Sequence, residues 1–136
     1  MSALPATLVR PTLVIVEDEE VVALSLSESL HEAGFSVQLF SEAERACRAI
    51  ENAEIAAAII DVGLPGIGGD ELARRWRAER VTLPIILATG YDEHRFAKAA
   101  ANDPYLGVLG KPFEVTRLVL LLEKLGVHAQ TATPLL

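Results

Sequence analysis

The 136-residue chain lacks the features that mark several large classes of protein. It has one cysteine, Cys47, so neither an internal disulfide nor a multi-cysteine metal site can form. A lone cysteine in such a chain reads as a small core residue. There is no basic excess: 12 Lys and Arg face 19 Asp and Glu, and a net charge of −7 argues against a nucleic-acid or anionic-membrane surface. No run reaches the ~18 apolar residues of a membrane span. The start, "MSALPATLVR", has neither a basic segment nor an unbroken apolar one, so it does not read as a signal peptide. His31, His94 and His128 have no companion ligands at metal spacing and read as surface residues. The expectation is a cytoplasmic protein with no membrane or nucleic-acid partner.

What is present is a globular composition, with 51% hydrophobic and 23% charged residues. The length suits one domain with its own core. Residues 1–11 read as a flexible lead-in closed by Pro11, and 127–136 as a flexible tail, leaving 12–126 as the domain. "TLVIV" (12–16), "IAAAII" (55–60), "PIILA" (84–88) and "YLGVL" (105–109) have strand length and apolar character, and "FSVQLF" (35–40) alternates like an edge strand. Helical segments separate them. Residues 18–34 have acids in the first turn, an apolar face of Val22, Leu26 and Leu30, and Gly34 as a stop. Ser41 reads as an N-cap for the next helix. "DELARRWRAER" places Leu72 and Trp76 on one face and Arg74, Arg75 and Arg77 on a mostly solvated one. Residues 92–102 form a helix with only Phe96 and alanines for the core, and 114–126 the last helix.

Strand and helix alternate five times, which predicts an α/β fold: a doubly wound parallel sheet of order 2-1-3-4-5 with both faces covered. In such sheets ligands sit beyond the carboxyl ends of the strands, at the switch point between strands 1 and 3. Those ends carry Glu17 and Asp18, Asp61, Thr89, and Lys111. Three carboxylates cannot crowd together ionised without help, and one lysine is not enough. The simplest missing partner is a divalent cation with oxygen ligands, and Mg²⁺ suits it. A nucleotide-binding reading fails, because "EDEE" after strand 1 repels phosphate where a glycine-rich turn would be needed.

The motifs "VIVEDE", "IIDVGLPGIGG", "LATG" and "GKPF", in this order, resemble those of response-regulator receiver domains of two-component signalling. The resemblance covers about 12–126 and implies a flavodoxin-like, receiver-like fold with five helices. It also implies that Asp61 accepts a phosphoryl group from the phosphohistidine of a histidine kinase, in an Mg²⁺-dependent reaction. Asp18 would hold the metal directly and Glu17 mostly through water, with the Gly63 carbonyl as a further ligand. Thr89 would hydrogen-bond the phosphoryl group and Lys111 would pair with it. The protein would not be an enzyme in the ordinary sense, since it would catalyse only its own phosphorylation and dephosphorylation. With no output domain after residue 126, it would stand alone, acting on a downstream protein target, within a phosphorelay through a phosphotransfer protein, or as a phosphate sink. "PIILATGYD" (84–92) also resembles the "PFxFATGY" signature of a stand-alone subgroup that works with HWE-type kinases.

Some positions depart from the family pattern. Glu17 replaces the commoner aspartate, and Gly68 stands where many receivers carry an acid. Val108 occupies the place of an aromatic that usually moves with the threonine, and Tyr91 is another aromatic near the site. Signalling would then run through residues 89–92 and the following helix, which phosphorylation would order. In the last helix Val115, Leu118, Val119, Leu121, Leu122 and Leu125 form a wide stripe, with Leu120 outside it. This fits either deep packing or a partner or homodimer surface. Gly63 argues against a haloacid-dehalogenase-type phosphatase, which needs an aspartate there. The set of Asp61, Thr89 and Lys111 argues against a binding-only pseudo-receiver.

Overall fold

The computed structural model describes residues 9–51, 53–90 and 93–130. Its elements are β1 (Thr12–Val16), α1 (Glu20–Glu32), β2 (Ser36–Phe40), α2 (Ala43–Ile50), β3 (Ala57–Asp61), α3 (Gly69–Glu79) and β4 (Ile85–Thr89). A 3-10 turn (Glu93–Phe96) then leads into α4 (Ala97–Ala101), followed by β5 (Leu106–Gly110) and α5 (Val115–Lys124). All strand pairs are parallel, and the sheet order is β2-β1-β3-β4-β5. This is the order expected from the alternation of strands and helices.

The apolar runs work because successive strand residues face opposite layers. Val14, Val16, Ala58, Ile60, Ile85 and Leu87 pack with Ala46, Ile50, Leu72 and Trp76 of α2 and α3. Leu13, Ile15, Ala57, Ile59 and Ile86 pack with Leu30 of α1 and Leu118 and Leu122 of α5. Each of these Val, Leu and Ile side chains contributes about 1.5–3 kcal/mol relative to exposure. Strands β1, β3 and β4 are therefore central, and β2 is a half-buried edge. Among the described residues no helix is long and apolar enough to cross a membrane.

Several local expectations need correction. Val22 is 40% exposed, and the inner face of α1 is formed by Ala23 and Leu30 with Leu26 half-buried. The helix is rotated so that Ala23, rather than Val22, is buried. Ser41 is not a cap: α2 starts after Glu42, with no side-chain cap hydrogen bond. Arg77 is not on a solvated face. It donates to Asp103 (2.8 Å), the Arg80 carbonyl (3.0 Å) and the Tyr105 carbonyl (3.1 Å), tying α3 to the approach to β5. Cys47 is half-buried and accepts a hydrogen bond from Trp76 Nε1 at 3.2 Å.

Residues at both ends of the domain are also packed. Arg10 donates to the carbonyls of His31 and Phe35. Val127 is buried and donates its N–H to Leu122, and Gln130 N–H bonds the Gly34 carbonyl, so 127–130 continue the packed chain rather than fray. The α5 stripe packs as well: Leu118 and Leu122 are buried, Val115, Val119, Leu121 and Leu125 lie against the same cluster, and Leu120 stays 64% exposed.

The predicted helix over 92–102 is a 3-10 turn followed by the five-residue α4; Tyr91 and Asp92 lie outside the described residues. Phe96 is buried on the sheet, whereas α4 buries none of its residues. With so little apolar area holding it, α4 is drawn from the low-stability end of the molecule. Amide hydrogen exchange in the unphosphorylated protein is expected to be fast at 97–101 and slow at 85–89.

Candidate functional site

The carboxyl ends of β1 and β3 are adjacent in the sheet, because Val16 pairs with Ile60. One step beyond each lie Glu17 and Asp61. The backbone fixes both: Glu17 N–H bonds the Phe40 carbonyl, and Val62 N–H bonds the Ala88 carbonyl. Oxygens of Glu17, Asp18 and Asp61 all lie within 4.8 Å of one another. Lys111 arrives from β5, its own N–H bonded to the Thr89 carbonyl at 2.7 Å. The Lys111–Pro112 peptide is cis. Lys111 Nζ lies 2.8 Å from Glu17 Oε1 and 3.2 Å from Asp61 Oδ1. Thr89 is buried at the end of β4.

The structure thus brings together four of the residues singled out from the sequence, with Thr89 on the neighbouring strand. Gly63 belongs to the same loop: its N–H donates to Asp61 Oδ1 at 3.1 Å. The Asp61 carboxylate is oriented from two sides on one oxygen, and among the described residues none donates to Oδ2. The side chain of Asp61 is 12% exposed and that of Glu17 only 5%. Asp18 is exposed at the mouth.

Electrostatics follow from this packing. Burial raises the Glu17 pKa, an effect that the hydrogen bonds from Lys111 and Glu19 only partly offset. Burial opposes the charge on Lys111. The hydrogen bond to Glu17 and the negative charges of Asp61 and Glu17 outweigh it, and the lysine pKa stands above its usual value. Such a raised pKa contributes stability that is full below the unfolded lysine value and is lost as pH rises through the folded one. In the presence of a chelator, the denaturation midpoint of the wild type is expected to fall across that alkaline window. Lys111→Met should lack this step.

The donor set tests well for a divalent cation. Carboxylates are hard oxygen ligands, and three of them around one ammonium leave a net negative pocket. Glu17, Asp18 and Asp61 form an acidic site of the kind that binds Mg²⁺.

One glycine matters to this geometry in a way that spacing does not reveal. A methyl at Gly69 would stand 2.0 Å from the carbonyl oxygen of Asp61 and 2.8 Å from Ile60 Cγ2, so α3 starts directly against the end of β3. A second glycine makes room elsewhere: the Glu93 carboxylate occupies the space that a side chain at Gly110 would need. Val108 is half-buried on the same side of β5, in a layer that also holds Phe96 and Trp76.

Comparison with known proteins places this arrangement. The chain belongs to the response regulator receiver domain family, whose model matches residues 13–123. It is therefore a receiver domain of two-component signalling, a phosphoacceptor class. The transcriptional regulatory protein FixJ of Bradyrhizobium diazoefficiens is 31% identical over 118 residues, which cover 87% of this chain and 58% of that protein. The transcriptional regulatory protein TcrA of Mycobacterium tuberculosis is 31% identical over 129 residues, covering 90% and 48% respectively. The chain spans about half the length of these curated relatives. A CheY-like receiver domain from Methanospirillum hungatei superimposes with a TM-score of 0.76 at 26% identity, covering 85% of this chain and 94% of that one. The response regulator TrrA of Thermotoga maritima, solved in complex with Mg(2+)-BeF, gives 0.75 at 26% identity, covering 85% and 98%.

Proposed function

We propose that the protein is a receiver that accepts a phosphoryl group on Asp61 from the phosphohistidine of a histidine kinase. It then signals through a protein partner, or passes the group on or discharges it within a phosphorelay. The observation that carries this reading is the Asp61 carboxylate itself. It is presented at the end of a central strand, held on Oδ1 by Lys111 and the Gly63 N–H, and lies beside an acidic pair.

In the transfer, a carboxylate oxygen of Asp61 bonds to phosphorus as the phosphorus–nitrogen bond breaks, and the electron pair leaves with the donor imidazole. Phosphoryl transfer demands mostly positioning and charge neutralisation. Asp18, Asp61 and the Gly63 carbonyl, with Glu17 through water, would hold Mg²⁺. When bound, the cation neutralises charge on the phosphoryl oxygens. Lys111, whose Nζ lies 3.2 Å from Asp61 Oδ1, would do the same, and the Thr89 hydroxyl would donate to a phosphoryl oxygen. Water later attacks the same phosphorus, releasing inorganic phosphate and restoring the carboxylate. The protein promotes these steps only on itself. A side chain at position 63 would start 3.7 Å from Asp61 Oδ1 and 3.9 Å from Oδ2, so Gly63 leaves the approach of water to the acyl phosphate less obstructed.

The subgroup reading rests on "PIILATGYD" and extends to an HWE-type kinase as donor. It is tested by phosphotransfer profiling. Autophosphorylated histidine kinases, HWE-type included, are mixed with the protein and Mg²⁺, and movement of label is followed. Rapid loss of label from one kinase with gain on the receiver supports the assignment. Failure with every active kinase, while a small phosphodonor succeeds, would remove the kinase assignment and keep Asp61 as acceptor.

A further inference from the structure

The 3-10 turn Glu93–Phe96 is fixed at one end and rests on β5 at the other. Phe96 is buried in the layer shared with α3. Glu93 is exposed, and among the described residues its carboxylate has no hydrogen bond or ion pair. It is held by fit alone. A methyl at Gly110 would stand 2.7 Å from Glu93 Cδ and 3.1 Å from Cγ, so the end of that side chain fills the space of the missing Cβ. Between the two ends, Arg95 reaches Asp70 of α3 at 3.7 Å, a largely exposed pair that holds weakly. Gly110 is a sensitive place for such a seat. It pairs with Thr89 across the β4–β5 ladder, about 4.8 Å away, and Lys111 follows it in the chain. Lys111 N–H bonds the Thr89 carbonyl, so the three positions are tied together.

We propose that Glu93 is a latch seated in the Gly110 notch, closed while Asp61 is a free carboxylate and released when Asp61 carries a phosphoryl group. This rests on the acceptor role proposed for Asp61. Replacing the single charge of a carboxylate by a phosphoryl dianion makes the site about one unit more negative. The new charge engages Thr89 and Lys111, which stand on either side of the notch. An unpaired carboxylate seated between them is repelled, and no bond holds it back. The turn then swings about Phe96. It carries α4, which buries none of its residues and so resists little. A seat made of one unbonded contact suits a switch, because a modest change in charge decides which position is populated. The seat exists only because residue 110 has no side chain.

The test is the affinity of the full chain, at saturating Mg²⁺, for beryllofluoride, a stable mimic of the phosphoryl group. Binding is followed through the amide NMR signals of residues 97–101. A seated Glu93 opposes the mimic, so unseating it tightens binding by linkage. Gly110→Ala is expected to bind about fivefold tighter than the wild type. Its methyl meets only the movable end of Glu93, so the fold is kept. Glu93→Ala should tighten binding to the same degree, and the double variant no further, since both substitutions remove one contact. Without the mimic, the 97–101 signals of Gly110→Ala should already be displaced towards their positions in the mimic-bound wild type. Unchanged or weaker binding in Gly110→Ala overturns the latch. So does an equal effect of that substitution when residue 93 is already alanine. If the wild type does not bind the mimic at all, the acceptor reading fails and the latch loses its trigger. If the wild type binds and Gly110→Ala does not differ, the latch alone fails.

Discussion

Asp61→Asn is expected to abolish phosphoryl uptake, by at least about 10³-fold in rate from any donor, while leaving the fold intact. The amide is close in shape to the carboxylate, and its oxygen can still accept from the Gly63 N–H, as Asp61 Oδ1 does at 3.1 Å. What it loses is the nucleophile. An amide oxygen carries no full charge to direct at phosphorus and forms no acyl phosphate. The variant also removes one of three crowded carboxylates. Lys111 keeps Glu17 at 2.8 Å, so no buried charge is stranded. Stability without a divalent cation should therefore change little, and thermal denaturation read beside the phosphorylation rate separates a lost acceptor from a lost fold.

Gly69→Ala is expected to damage both stability and phosphorylation although residue 69 carries no reactive group. Its methyl would stand 2.0 Å from the Asp61 carbonyl oxygen and 2.7 Å from the carbonyl carbon. These are backbone atoms of a central strand and cannot turn aside. Either α3 backs away, opening the layer that buries Leu72 and Trp76, or the end of β3 is pushed and Asp61 moves with it. Overpacking of this kind costs about 1–3 kcal/mol. A shift of about 1 Å in a reacting group costs about 10²-fold in rate. Gly68→Ala is the matched comparison. Its methyl meets chiefly Asp70 Oδ1, at 2.8 Å, the end of a side chain that can swing away. Because Gly68 is the N-cap of α3, where alanine is poorer than glycine, that variant should lose about 1 kcal/mol but phosphorylate normally. Equal damage from both substitutions would mean that the loop as a whole, rather than the contact at Gly69, sets the position of Asp61.

The strands were legible because burial on both sides leaves its mark in unbroken apolar runs such as "TLVIV" and "PIILA". The topology followed from alternation, and the site followed from the topology: once β1 and β3 are neighbours, Glu17, Asp18 and Asp61 must meet. What local pattern could not supply was tertiary. Val22, Leu26 and Leu30 share a helical face by spacing, but Ala23 is buried in place of Val22 beside Leu30 and the half-buried Leu26, because packing sets the helix rotation. Arg77 reads as one more surface arginine until Asp103 and two carbonyls, 26 and 28 residues away in sequence for Asp103 and Tyr105, enclose it. Val127 packs although it lies past the stop at Gly126, because the left-handed Gly126 (φ 90°) turns the chain so that the Val127 N–H caps the Leu122 carbonyl, a local helix-ending motif. Gly69 looked like one of several loop glycines, and only the approach of α3 to β3 sets it apart. The engagement of Lys111 with Glu17, across 94 residues of chain, has no local signature at all.

Asp61 is the proposed site of phosphorylation. This assignment is tested most directly by treating the protein with a small phosphodonor and Mg²⁺, reducing any acyl phosphate with borohydride, and mapping the product by peptide mass spectrometry. Borohydride converts an aspartyl phosphate to homoserine. Homoserine is expected at position 61 and at no other acid. Homoserine at Asp18 or elsewhere, or a stable phosphoryl group on a hydroxyl or histidine with position 61 untouched, would contradict it.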